Sequence, residues 1–407
     1  MTDSKREIGH APSWGKRLAG LDGLRGLALL AVILAHTIIL LPGSGGYSAF
    51  GTALTGLMVH GLTFFFVLSA FLLYRPFASA AIQGRTRPPT REFYRNRILR
   101  VWPAYLVIFA IVTWGFGLAV VDNEIPGVER LGRMTDPVDI ILNLLLLQNW
   151  WPGSAFTGLS VSWSLVTEVS FYAMLPVLGA IAIWFARRGR PVVGALVPAG
   201  LMLLMGLCGR LITMGINGGE DIEVESTWLS AINRSIIGQG DLFGLGMIIA
   251  VLIVVSDRLS EKRLRTWRIA GWATVFVACV AVLGIGSGEY ATPFMGVIFA
   301  CILLLTQMPK SDAFSRAVVR VMETPLPRLA GEYSLSAYLW HYPVIWFLYK
   351  HVGRAVYDSN ADIAVSFAIV LVPTVILGAI TYHLVEKPAM SKKRRTDRRL
   401  SEANTAP

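Results

Sequence analysis

Arg25 and His36 stand eleven positions apart in the run LDGLRGLALLAVILAHT, residues 21–37. At about 1.5 Å rise per residue, the imidazole lies roughly 16 Å above the guanidinium. If Arg25 marks one membrane face, His36 falls near the middle of a hydrocarbon layer roughly 30 Å thick. An ionisable group at that depth is costly, which makes His36 a candidate for chemistry. The plainer reading is a histidine hydrogen-bonded to a neighbouring helix. Imidazole titrates near neutrality and takes a proton from an attacking hydroxyl.

Other polar groups interrupt apolar runs. Arg97 and Arg100 are three apart, on one helix face. Guanidinium forks hold phosphates bidentately, so an activated acyl donor carrying phosphates, such as acyl-CoA, suits them. Glu168 in SWSLVTEVSFY and Asp241 in GQGDLFGLG are expected in the outer third of spans that descend from outside. His341 in YSLSAYLWHYPV is expected near the midplane, like His36. By depth this gives a cationic inner mouth, two imidazoles, and acids toward the outside. A carboxylate beside the imidazole would hold its tautomer and stabilise the imidazolium.

Each of these has a bland counterpart. Arg97 and Arg100 suit topology anchors, Glu168 and Asp241 suit interhelical hydrogen bonds, and His341 suits packing. His10, His60 and His351, near span ends or in loops, carry no expectation. His383 and Glu386 in YHLVEKP form a possible interfacial clasp. Phe64–Phe66 and Trp150–Trp151 read as lipid or interface contacts. Cys208, Cys279 and Cys301 are scattered through apolar runs, with neither a disulfide pattern nor metal-ligand spacing, so no metal is expected.

The elements that must position these groups are membrane spans. Of 407 residues, 54% are hydrophobic and only 15% charged, and mean hydropathy is +0.57. Soluble domains carry about 25% charged residues. The net charge of +11 sits in short loops between apolar runs, the pattern that orients membrane proteins. It is therefore no nucleic-acid footprint. Arginine outnumbers lysine, and Ala, Gly and Val abound, which points to a GC-rich bacterial genome.

We expect an all-α polytopic membrane protein: a bundle of about ten transmembrane helices with one short re-entrant or interfacial helix, and both termini cytoplasmic. Residues 1–20 form an N-terminal tail, 21–388 the membrane domain and 389–407 a basic C-terminal tail. The spans run from about Leu24 to Leu41, Leu54 to Tyr74, Val101 to Val121, Ser164 to Phe185 and Val192 to Met214. The rest run from about Ile236 to Val255, Ile269 to Gly286, Thr292 to Met308, Tyr333 to His351 and Ile363 to Leu384. A Gly/Ser turn falls at 43–46, and acidic outer segments at 122–138 and 215–230. Inner loops include 309–329. The run Asp139 to Trp151 is too short to span. If it re-enters from outside, every basic loop lies on one side.

Taken together, these segments resemble the acyltransferase 3 family of bacterial integral-membrane acyltransferases. The resemblance rests on LDGLRGLALLAVILAH with Arg25 and His36, FFFVLSAFLLY, and FYRNRILRVWPAY with Arg97 and Arg100. WSLVTEVSFYAMLP brings Trp163, Ser164, Glu168, Phe171 and Tyr172, and YSLSAYLWHYPV and YHLVEKP complete the set. Six motifs in order cover nearly the whole chain.

The resemblance implies transfer of an acyl group, commonly acetyl, from cytoplasmic acyl-CoA to a hydroxyl. The acceptor is a sugar of an envelope polysaccharide or glycolipid, with a trehalose-type glycolipid one option, or a glycosylated small molecule. It assigns Arg97, Arg100 and Arg25 to the donor's phosphates, and His36, Glu168 and Arg25 to catalysis. Substrate contacts fall to Trp163, Ser164, Tyr172, Asp241 and His341. His36 serves as general base or as transient acyl carrier. Some relatives carry a fused periplasmic esterase-like domain. This chain ends shortly after the tenth span, which implies transfer completed in the membrane or handed to envelope-assembly or export proteins. The competing class is a transporter of acylated glycolipid or small acids that uses the same polar column for passage.

Overall fold

A computed structural model describes residues 18–40, 49–122, 130–218, 227–286, 288–352 and 360–391. The expectations for His10, for most of the two tails and for the 43–46 turn fall outside these residues. So do the central parts of both acidic outer segments.

The helices are α1 (Leu21–Leu40), α2 (Ala49–Met58), α3 (Gly61–Gln83), α4 (Thr90–Ala110), α5 (Pro137–Leu145), α6 (Trp163–Ala186), α7 (Pro191–Ile216) and α8 (Trp228–Arg234). They continue with α9 (Ile236–Ser256), α10 (Glu261–Ile285), α11 (Thr292–Gln307), α12 (Ala313–Met322), α13 (Pro325–Glu332), α14 (Ser334–His351) and α15 (Asn360–Thr381). Among the described residues, nine helical stretches are long and apolar enough to cross a membrane. The chain is a multi-pass membrane protein. α14, the ninth expected span, is not among those nine. It has 18 residues but carries Ser334, Ser336, His341 and Lys350, which lower its hydropathy. Its Ser334, Ser336 and His341 are buried inside the bundle.

Several boundaries differ from expectation. α3 runs on past Tyr74 to Gln83 and ends at Gly84, whose φ of 67° suits a residue without Cβ. α4 begins at Thr90, so the arginine-rich REFYRNRILR is helical and not a loop. It closes in a π-helical turn, Ile111–Phe116, and Gly117 takes φ 61°. The third span therefore stops short of Val121. Ala119–Asp122 (β1) instead pairs antiparallel with Arg130–Gly132 (β2), so the chain is not wholly helical. The expected inner loop 309–329 holds α12 and most of α13.

The basic turns gather at one end. Arg258 Nη2 donates to Ile82 O at 3.5 Å, Lys310 pairs with Glu261 at 3.1 Å, and Gly20 N donates to Glu323 at 2.6 Å. At the opposite end, Asn149 donates to Trp163 O at 2.7 Å, and the Trp151 and Trp228 rings lie 5.9 Å apart. The nine-residue α5 is capped by Asp136, which accepts from Val138 N and Asp139 N, with Pro137 in its first turn. It exposes Val138, Ile141 and Leu145 and buries only Asn143. That pattern suits an interfacial helix. The following residues tuck inward, burying Gln148, Asn149, Ser154, Thr157 and Ser162. The first turn of α6 therefore starts within the protein, below the level of a simple outer loop.

Close helix approach completes the frame. A Cβ on Gly206 of α7 would lie 1.8 Å from Asp241 N of α9, and one on Gly26 of α1 would lie 2.4 Å from Pro327 O of α13. Small residues let membrane helices approach this closely.

Candidate active site

Three cavities succeed one another along the bundle. The basic-end cavity, about 1080 Å³, is lined by Asp22, Arg25, Arg100, Arg328, Glu332 and Glu386 among others. Arg25 and Arg100 also line the central cavity, about 800 Å³. Leu62 and Phe66 line both the central cavity and an opposite-end cavity of about 850 Å³.

The central cavity collects residues from five helices. Arg25 comes from the first turn of α1, where it pairs with Asp22 at 3.6 Å. Arg97 and Arg100 come from α4, and Ser164, Glu168 and Tyr172 from α6. Ser69 of α3 donates a short hydrogen bond to Glu168. Tyr172 interacts electrostatically with Glu168 and with Arg97, and the Arg97 guanidinium lies 5.8 Å from its ring centre. Arg97 Nε is buried with no hydrogen-bond partner. Three guanidinium groups against Glu168 and the Asp22 partner of Arg25 leave the cavity cationic, and an orphaned N–H calls for an acceptor. An anion such as phosphate meets both requirements.

Glu168 is not where depth counting put it. Because α6 starts inside the fold, its carboxylate joins the arginines and not an outer acidic layer. Nor does a carboxylate hold His36. His36 Nδ1 lies 3.0 Å from His341 Nε2, and the ring packs edge-on to Tyr342 at 4.9 Å between centroids. His341 Nδ1 makes a short hydrogen bond to Tyr338 O. A carbonyl can only accept, so His341 carries its proton on Nδ1 and accepts at Nε2. The His36 proton then resides on Nδ1, which leaves His36 Nε2 bare. A bare imidazole nitrogen is a proton acceptor.

His36 and His341 stand behind the cavity wall, and Tyr338 connects them to it. Tyr338 lines the central cavity, and its ring lies 5.3 Å from that of His341. Its hydroxyl bonds to Ser164 Oγ at 2.8 Å and donates to Val161 O at 3.0 Å. On the other flank, Tyr342 interacts electrostatically with Arg234, which lines the opposite-end cavity with Trp163. His36 and His341 are thus linked through Tyr338 to the central cavity and through Tyr342 and Arg234 to the opposite-end one, without lining either.

Asp241 stands apart from this group. It is fully buried against Arg210 at 3.3 Å, a structural ion pair between α7 and α9. His383 meets Tyr333 at 3.3 Å, and Glu386 accepts from Ser336 at 3.0 Å. These two therefore tie the turn after α15 to α14 and the residue before it. Phe64 and Phe66 are core residues and not lipid contacts, and Phe66 packs on Phe243 at 5.0 Å. Trp150 and Trp151 are exposed, as an interface requires. Sequence reasoning missed Ser69, Arg210, Asn233, Arg234, Glu289 and Tyr338. Ser69 and Tyr338 lay in quoted motifs, and Tyr338 is one helical turn from His341, the signal that would have found it. No group of metal-binding side chains occurs among the described residues.

A family model described as "Acyltransferase domain" matches residues 18–383. Among curated proteins, the chain is similar to YrhL of Bacillus subtilis (strain 168), named as a candidate peptidoglycan O-acetyltransferase. Identity is 26% over 400 residues, 93% of this chain and 56% of YrhL. Acyltransferase MdmB of Streptomyces mycarofaciens is 26% identical over 92% of both chains. O-acetyltransferase OatA of Staphylococcus aureus (strain NCTC 8325 / PS 47) is 26% identical over 92% of this chain and 57% of its own. The chain thus spans a little over half the length of YrhL and OatA. No solved structure gives a significant match. With the family model covering all but the ends, the chain belongs to the acyltransferase domain family.

Proposed function

We propose that this protein is a membrane O-acyltransferase that moves a short acyl group, acetyl first among them, from acyl-CoA to a hydroxyl of a sugar-containing acceptor. One observation supports the reading: His36, whose Nδ1 faces His341, is linked through Tyr338 to the arginine-lined cavity and through Tyr342 and Arg234 to a second cavity. The arginine-rich end is cytoplasmic by the positive-inside rule, so the donor enters there and both termini lie in the cytoplasm. Arg25, Arg97 and Arg100 bind its phosphates, and the orphaned Arg97 Nε gains an acceptor. Glu168, held by Ser69 and Tyr172, keeps the arginines spread and offsets part of their mutual repulsion.

His36 Nε2 takes the proton of the acceptor hydroxyl as its oxygen attacks the thioester carbonyl. The carbon–sulfur bond breaks, an O-acyl ester forms, and the imidazolium returns its proton to the thiolate. His341 accepts from His36 Nδ1–H throughout, which keeps the reactive nitrogen fixed. The names of YrhL and OatA suggest peptidoglycan as the acceptor, and a trehalose-type glycolipid is a second sugar of suitable chemistry. The setting is the bacterial inner membrane. The purified protein, given acetyl-CoA and a glycan, is expected to release free CoA thiol in step with ester formation. A transporter would move solute and release no thiol, and that result would reject the reading.

A further inference from the structure

The opposite-end cavity is not part of the arginine cluster, and its chemistry is of a different kind. From its residues we infer that it binds a neutral, hydroxyl-rich ligand, of which a sugar ring is the type, and presents it to His36. The role given to the bound hydroxyl rests on the acyl-transfer reading, whereas the binding itself does not.

Four observations carry this. First, the cavity combines an apolar wall with a few convergent polar side chains, as small-molecule sites do. Second, its charges cancel: Arg210 is neutralised by Asp241, and Arg234 feels the Glu289 carboxylate. A cavity without net charge offers a phosphate or carboxylate little, in contrast to the cationic one beside it. Third, its wall alternates donors and acceptors. Asn233 donates to both Glu289 oxygens at 2.8 and 2.9 Å, and Gln239 donates to Asn233 O at 2.8 Å. Yet Asn233 Oδ1, on a side chain only 2% exposed, has no hydrogen-bond partner. A buried acceptor left unpaired is costly, and a ligand hydroxyl donates to it. A sugar hydroxyl both donates and accepts, which suits a wall of this kind, and Trp163 adds an apolar face for the ring. Fourth, the cavity wall is linked to His36 through one intervening ring. Arg234 interacts with Tyr342, and the Tyr342 ring packs on His36.

The test uses the full chain in nanodiscs with no acyl donor present. Saturation-transfer NMR is recorded with trehalose and with an N-acetylglucosamine tetramer, each alone and with inorganic phosphate added as a competitor. At least one glycan is expected to show transfer, undiminished by phosphate. Glu289→Gln and Asn233→Ser are each expected to weaken glycan binding at least tenfold while the affinity for CoA stays within twofold, which also reports that the variant is folded. The inference is overturned if neither glycan binds, or if binding is indifferent to both substitutions. Glycan binding without thiol release from acetyl-CoA would sustain this site and reject acyl transfer. Thiol release with glycan binding insensitive to both variants would do the reverse.

Discussion

The central and opposite-end cavities share a wall at Leu62 and Phe66, yet they solve different electrostatic problems. In the central one, Arg25, Arg97 and Arg100 outnumber Glu168 and Asp22, and an Arg97 N–H lacks an acceptor. In the other, Arg210 and Arg234 each have a carboxylate, and it is an acceptor, Asn233 Oδ1, that lacks a donor. An excess of cation with a spare donor selects an anion, whereas balanced charge with a spare acceptor selects a hydroxyl. Ligands of opposite character are therefore suited to the two cavities without competing for the same groups.

The contrast can be broken at its strongest point, the buried Arg210–Asp241 pair. Removing one partner strands a charge between α7 and α9 and costs about 3–5 kcal/mol. Asp241→Asn is expected to lower the thermal midpoint sharply, and the double substitution Arg210→Met/Asp241→Leu to recover most of it, read by thermal denaturation in detergent. Full stability of the single variant would mean that the pair is not what neutralises this region.

The central cavity gives a kinetic counterpart. Arg97→Ala removes charge-assisted hydrogen bonds worth about 1.5–3 kcal/mol, so KM for acyl-CoA should rise about 10- to 150-fold. KM for the acceptor should stay within twofold. A rise in both, measured by initial rates with each substrate varied, would merge the two cavities into one site.

The histidine pair tests what lies between them. His341→Leu deprives His36 Nδ1–H of its acceptor, and kcat should fall about tenfold, in line with a lost buried hydrogen bond of about 1–1.5 kcal/mol. His341→Gln keeps an acceptor and should retain more activity than His341→Leu. Equal rates for the two variants would make His341 a packing residue.

The smallest effect belongs to the basic rim. Asp312 caps α12, accepting from Ser315 N at 2.9 Å and Ser315 Oγ at 2.8 Å. Burial pulls its carboxyl upward, but these bonds and one from Trp272 hold it below the ordinary carboxylate range. Its contribution is therefore present above the ordinary carboxylate pKa and fades as pH falls through its own, lower value. Asp312→Ala should cost about 1 kcal/mol, and the wild-type advantage over this variant should shrink on acidification. Thermal midpoints from pH 7 to 3 check this, and an advantage constant with pH would contradict it.

Much of this molecule was legible in its sequence because membrane spans announce themselves by length and apolarity. Arg25, Arg97, Arg100, Ser164, Glu168 and Tyr172 were all named from motifs, and they do line one cavity. Depth was the weak inference. Counting residues from an assumed outer loop put Glu168 in an acidic outer layer, because nothing in the run from Gln148 to Ser162 says that it folds inward. The Asp241 partner was missed for a related reason. Arg210 sits 31 residues away, and only the close approach at Gly206 brings the helices together. α14 hid its place in the bundle by spending its polar side chains inward.

The direct test of the central claim is the single-turnover rate of CoA thiol release with both substrates saturating, compared between the wild-type chain and His36→Ala. A positioned general base contributes about 10²- to 10⁴-fold. The rate should fall by that much while binding of CoA and of glycan is unchanged. A His36→Ala enzyme that releases thiol and forms ester within twofold of the wild-type rate would contradict the assignment of the base.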